Sequence, residues 1–206
     1  EQIIGRAFEE PGLQGREKAL VRLMETDLAI YRGEPGRIAE LIEGIENLDS
    51  SLRHRVEQYR GRLLMFQGKT EKARDHLLEV YREFCHGTPE ERLTAHKALG
   101  NAAGCIIRLQ TSLEDAEAAL LKVLEFARER GDLLMETLCV GNLALVFKYL
   151  PRRLDDAIRL TRQHLELAGQ TGSRFVEMQA TGNLASMLER ESPSEEAFCL
   201  YRKALE

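Results

Sequence analysis

Apolar residues recur along this 206-residue chain at the three- and four-residue spacing of amphipathic helices, and short stretches of glycine, proline and polar residues separate them. The pattern predicts helices and no strands. Four helices come first. One spans residues 15–32, the second ends at about residue 47, the third ends at residue 67, and the fourth begins at residue 70. Three pairs follow, over 89–110 with 112–130, 133–150 with 153–170, and 174–191 with 194–206. Residues 1–10 are interpreted as the tail helix of a preceding repeat.

A Gly-Asn pair occurs three times, at residues 100–101, 141–142 and 182–183, and both 141 − 100 and 182 − 141 equal 41. A period near 40 residues carried by a helical hairpin is typical of a repeat solenoid. The sequence therefore predicts one all-α domain over residues 1–206, a right-handed superhelix of about five hairpins. The repeats span about 15–48, 49–88, 89–131, 132–172 and 173–206. Because the chain begins without Met and stops inside a helical pattern, we expect it to be a piece of a longer protein.

Small residues also recur at fixed repeat positions, opposite the asparagines on each first helix. An alanine beside a large apolar residue allows the partner helix to approach closely. The alanines are Ala103, Ala144 and Ala185, their large neighbours are Ile106, Phe147 and Leu188, and the second helices supply Ala116, Ala157 and Ala197. We expect these residues to be buried between stacked hairpins.

The asparagines occupy mid-helix positions, although their amides prefer caps and turns. Residues four before, three after and seven after share the same helical face. These are Lys97, Gly104 and Arg108 around Asn101; Leu138, Leu145 and Tyr149 around Asn142; and Gln179, Ser186 and Arg190 around Asn183. The face carries three basic residues and no acidic one, and we expect it to line the inner surface of the superhelix. Alternatively, each amide bonds the backbone of a neighbouring repeat and locks the stack.

The small residues at Ala144 and Ala157, the aromatic Phe147 and the turn at Pro151 resemble a tetratricopeptide (TPR) repeat. The longer second helix is similar to that of kinesin light chain and of bacterial regulators with TPR sensor regions. The resemblance implies a concave surface that takes an extended peptide or a partner helix. It also implies that Asn101, Asn142 and Asn183 contact the ligand backbone. The Lys97–Asn101 pair resembles part of the chaperone-binding TPR clamp for a terminal carboxylate.

Charge and composition limit the other classes of function. The net charge of −5 argues against a nucleic-acid partner, and no apolar run approaches the ~20 residues of a membrane helix. The five histidines are isolated, with no HExxH motif and no glycine-rich phosphate loop, so we expect no catalytic residues and no cofactor. The four cysteines are scattered, and only Cys85-His86 are adjacent, so we expect no metal site, reduced thiols and a cytoplasmic location.

We therefore expect a protein- or peptide-binding module of a signalling or regulatory protein. Lys97, Arg108 and Arg190 would select acidic side chains or a terminal carboxylate, and Leu138, Leu145 and Tyr149 would receive an apolar anchor. The alternative is an architectural array that dimerises or spaces two domains. The helix over 194–206 carries many apolar residues, which predicts self-association through exposed terminal helices.

Overall fold

The computed structural model describes residues 15–46, 49–191 and 194–205. These ranges contain ten α-helices, a 3₁₀ helix at Ser50–Leu52 and no strand, which confirms the all-α prediction. The helices are α1 (Arg16–Arg32), α2 (Pro35–Glu46), α3 (Arg53–Phe66), α4 (Thr70–Phe84), α5 (Pro89–Leu109), α6 (Leu113–Arg130), α7 (Leu133–Tyr149), α8 (Leu154–Thr171), α9 (Arg174–Glu191) and α10 (Glu195–Leu205). The helix predicted over residues 1–10 lies outside the described residues.

Local capping chemistry sets several of the helix ends. Gly131 ends α6 in the left-handed region (φ 64°), and the Asp132 side chain then accepts a hydrogen bond from the Met135 amide at the start of α7. Before α5, the Glu91 carboxylate accepts from the Thr88 amide (2.7 Å) and the Thr88 hydroxyl accepts from the Glu91 amide (3.3 Å). This reciprocal pair is a capping box. Such signals are local, so the helix limits from α5 onward agree with the predicted ones to within one residue.

Contacts divide the chain into two compact units, one that ends at Cys105 and one that begins at Ile106. The boundary falls within α5. The prediction of a single domain with five repeats over residues 1–206 stays a prediction.

The first unit holds two clusters of buried apolar residues. One joins α1, α2, the 3₁₀ helix and α3, and its largest enclosed side chains are Leu23, Ile38 and Ile45. The other packs α4 against the first part of α5. It contains the buried Leu77 of α4 and the small residues Ala95, Ala98 and Ala102 of α5. Consecutive helices thus bury one apolar side each, as hairpin stacking requires.

The second unit packs α6 through α10 in the same way. The alanines and large apolar residues predicted to face the partner helix are buried, namely Ala116, Ala144, Ala157, Ala185, Ala197, Ile106, Phe147 and Leu188, and Ala103 is buried in the first unit. Leu184, Leu188 and Ala197 join α9 to α10. Between α7 and α8, the buried His164 ring lies directly against Gly141. This packing leaves the asparagine faces of α7 and α9 partly exposed.

Candidate peptide-binding site

The asparagine face of α7 is an exposed apolar stripe with one amide at its centre. Leu138 and Tyr149 keep 42% and 41% of their surface exposed, and Leu145 and Asn142 are half-buried between them. Leu134, one turn before Leu138, is 50% exposed. The sequence prediction omitted Leu134, although the four-residue spacing to Leu138 could have indicated it. Large exposed apolar side chains in one row are typical of a surface that contacts a partner.

The corresponding face of α9 is more polar. Asn183 and Ser186 are half-buried, and Gln179 and Arg190 are exposed. A single large aromatic, Phe175, is exposed at the start of the helix. The two faces together therefore offer apolar contact on α7 and hydrogen-bonding groups on α9.

Two hydrogen bonds join α7 directly to α9 at the ends of these faces. The Lys148 Nζ donates to the Ser186 Oγ at 2.9 Å, and the Arg190 guanidinium donates to the Lys148 carbonyl at 2.7 Å. Arg190 therefore satisfies one of the last carbonyls of α7, which the sequence did not predict. The sequence prediction also omitted Lys148, because this residue lies off the asparagine face of α7. Its side chain contacts the asparagine face of α9, at Ser186.

The cations of this region lack carboxylate partners. Neither Lys148 nor Arg190 forms an ion pair within the described part of the chain, and the same holds for the exposed Arg108. Burial, followed by the charge of Arg190, lowers the pKa of the Lys148 ammonium. Elsewhere in this unit arginines pair with carboxylates, in Arg128–Glu136, Arg153–Asp156, Arg159–Asp156 and Arg162–Glu196. Lys148 and Arg190 therefore place two positive charges without a carboxylate partner where α7 meets α9.

The three asparagine amides make no side-chain hydrogen bond among the residues that the structure describes. Each asparagine is half-buried, and its amide can both donate and accept a hydrogen bond. The hydrogen bonds by which Asn101, Asn142 and Asn183 would lock neighbouring repeats are therefore absent from the described residues.

Lys97 and Asn101 belong to the first unit. They lie one turn apart on α5, with Lys97 exposed and Asn101 half-buried. Arg108 lies later on the same helix but within the second unit. The structure thus places seven of the predicted residues in the second unit and two in the first.

The ionisable groups that could suggest catalysis have structural surroundings. His54 and His164 are buried with neither ring nitrogen hydrogen-bonded, and burial lowers the pKa of both. His76 contacts the Glu57 carbonyl. In the described ranges no group of three His, Cys, Asp or Glu residues is arranged to hold a metal ion, and no helix there is long and apolar enough to cross a membrane.

Comparison with known proteins supports the fold. No protein-family model and no curated protein matches the chain. Two crystal structures of the nearly identical TPR-like repeats of a Podosopora anserina protein, described as a kinesin light chain, are similar to it. One, a variant with a single substitution, has a TM-score of 0.64 at 13% identity and covers 93% of this chain and 95% of its own. The other has a TM-score of 0.61 at 14% identity and covers 89% and 91%.

The chain therefore has a TPR-like repeat fold, as the sequence resemblance implied. At this identity the likeness concerns the fold alone. Repeat folds of this kind serve as scaffolds with extended binding surfaces.

Proposed function

We propose that this protein is a protein-binding scaffold whose second unit holds an extended peptide segment on the asparagine faces of α7 and α9. The observation that carries the proposal is that Lys148, Arg190 and Arg108 form no ion pair among the described residues, whereas four other arginines of this unit do, namely Arg128, Arg153, Arg159 and Arg162. An acidic side chain or terminal carboxylate on the peptide would supply the missing charge.

The neighbouring side chains would bind the backbone and an apolar side chain of the same peptide. Asn142 and Asn183 can each donate to and accept from a peptide backbone, because no described residue occupies their amides. Leu138, Leu145 and Tyr149 offer apolar contact on α7. The proposed ligand therefore combines an extended backbone, an apolar anchor and an acidic group. Lys97 and Asn101 would make the equivalent contacts on the first unit.

The proposal extends to the setting of the module. Cys105 and Cys139 are buried and form no disulfide among the described residues, which supports a reducing compartment such as the cytoplasm. The sequence resemblance to kinesin light chain and bacterial regulators supports a place in a signalling or regulatory protein. The scaffold itself would carry no catalytic step.

The test is selection of random twelve-residue peptides displayed on phage against the whole chain, followed by calorimetry with a synthetic copy of the best binder. We expect enrichment of Asp or Glu beside Leu or Phe. Asn142→Ala should weaken binding about fivefold, from the ~1 kcal/mol net value of one hydrogen bond. Lys148→Met should weaken it about tenfold or more, because the lost contact is charged.

Leu138→Ala and Leu121→Ala form a matched pair for the apolar contact. Leu121 lies on α6 and is 52% exposed, close to the 42% of Leu138. We expect only Leu138→Ala to reduce affinity. Peptides without acidic residues, or asparagine variants that lower the melting temperature yet keep full affinity, would contradict the proposal.

A second candidate is self-association, which one exposed aromatic favours. Phe198 on α10 is 68% exposed, and the adjacent Cys199 is exposed as well. Sedimentation equilibrium over a hundredfold concentration range would detect a dimer, and Phe198→Ser should abolish it. A chain that stays monomeric throughout would exclude the architectural alternative at this surface.

A further inference from the structure

The first unit contains an arginine without a carboxylate partner beside an otherwise complete polar cluster. On α3, the Arg55 guanidinium donates to the Asp27 carboxylate at 3.2 Å and to the Tyr59 hydroxyl at 2.8 Å. The Tyr59 hydroxyl donates to the other Asp27 oxygen at 2.8 Å. Arg62, two turns after Arg55, is half-buried beside this cluster and forms no hydrogen bond or ion pair within the described residues.

The charges in this cluster do not balance. Arg55 and Arg62 carry two positive charges, Asp27 carries one negative charge, and Tyr59 is neutral, because burial and the nearby Asp27 raise its pKa further. Both Asp27 oxygens already accept hydrogen bonds. The surplus charge is on Arg62, whose five donors point in a fixed planar fork suited to a carboxylate. Burial lowers its pKa, yet a guanidinium stays charged at neutral pH.

Large exposed apolar residues lie on the helices that carry this cluster. Met24 and Tyr31 lie on the Asp27 face of α1 and are 58% and 81% exposed. Phe66, four residues after Arg62, is 43% exposed and lies close to Gly33 at the end of α1. A half-buried unpaired cation costs stability unless a ligand pairs with it, and apolar neighbours strengthen such a pair by excluding water.

We infer that Arg62, Met24, Tyr31 and Phe66 form a second recognition site, the Arg62 patch, for a partner segment with a carboxylate next to a large apolar side chain. The surplus of one positive charge matches a monoanionic carboxylate, and the exposed aromatic and thioether groups match an apolar neighbour. The Arg62 patch lies wholly in the first unit and does not depend on the α7–α9 face. The scaffold would then engage its partner at two acidic positions.

The experiment uses the whole chain labelled with ¹⁵N and a small probe that carries both chemical features, N-acetyl-phenylalanine. Its neutral twin, N-acetyl-phenylalanine amide, is the control ligand. We expect saturable amide shifts in α1 and α3 with the acid and at least about tenfold weaker binding of the amide, as for loss of a charged contact. Arg62→Met keeps the side-chain length and should weaken binding of the acid by a similar factor.

Two further measurements separate a binding role from a structural one. Arg82→Met removes an exposed arginine from α4 of the same unit and should leave the titration unchanged. Arg62→Met should melt at the same temperature as the native chain or higher, because no ion pair is lost. A lower melting temperature, equal binding of acid and amide, or no shift in α1 and α3 would overturn the inference. Shifts with phenyl phosphate but not with the acid would overturn it in favour of a phosphate ligand.

Discussion

The two glycines at residues 141 and 182 occupy the same repeat position, yet the structure predicts opposite effects when each becomes alanine. At Gly141 an added Cβ would lie 2.5 Å from Cε1, 2.8 Å from Nδ1 and 2.9 Å from Nε2 of His164. That ring is 2% exposed, so it has little space into which to move. At Gly182 an added Cβ meets no atom within 4 Å.

The magnitudes follow from two opposing terms. Replacing a mid-helix glycine with alanine stabilises a helix by about 1 kcal/mol. Overpacking an enclosed site costs about 1–3 kcal/mol, and three contacts shorter than 3.0 Å in a buried ring favour the upper part of that range. We therefore expect Gly141→Ala to destabilise the second unit by about 1–2 kcal/mol. Gly182→Ala should stabilise it by about 0.5–1 kcal/mol.

The assay is urea unfolding followed by far-ultraviolet circular dichroism, with the two variants and the native chain measured together. The free energies of unfolding of the two alanine variants should differ by about 1.5–3 kcal/mol. Relative to the native chain, the urea midpoint should fall for Gly141→Ala and rise for Gly182→Ala. The double variant Gly141→Ala/His164→Ala should be less destabilised than the sum of its single variants, because removing the ring removes the clash. Equal midpoints for Gly141→Ala and Gly182→Ala would refute the argument that His164 requires glycine at residue 141.

Two other predictions concern titration and thiol reactivity. Burial lowers the pKa of His54 and His164, so near pH 6 the unfolded chain binds protons that the folded chain excludes. The free energy of unfolding should therefore be constant above about pH 6.5 and fall as the pH decreases from 6.5 to 5. Urea midpoints measured across this range should fall with decreasing pH. If a double His→Leu variant showed the same fall, the two histidines would not be its cause. Burial raises the pKa of the Cys139 thiol to about 12, whereas Cys199 is exposed, so iodoacetamide should label Cys199 in the folded chain and Cys139 only after unfolding. Mass spectrometry of the labelled peptides measures both sites, and equal labelling rates in the folded chain would contradict this burial.

The sequence by itself determined the helices and much of their packing. Hydrophobic spacing and local caps such as Asp132 act over three or four residues, so a helix end can be recognised from its neighbouring residues in the sequence. The 41-residue repeat likewise indicated which alanines would be buried. The same periodicity placed Leu138, Asn142 and Tyr149 on one exposed face of α7, as the structure has them.

Tertiary structure decided which polar groups already have a hydrogen-bond partner within the protein. Arg190 reaches the Lys148 carbonyl 42 residues away, and Tyr59 reaches Asp27 across 32 residues. Such contacts depend on the distance and rotation between packed helices, which no local pattern encodes. For the same reason the Gly-Asn repeat could not show that Gly141 accommodates a buried histidine ring while Gly182 faces open space. Whether a polar group is free to bind a partner is a property of the packed helices, because only packing determines which donors and acceptors are already paired.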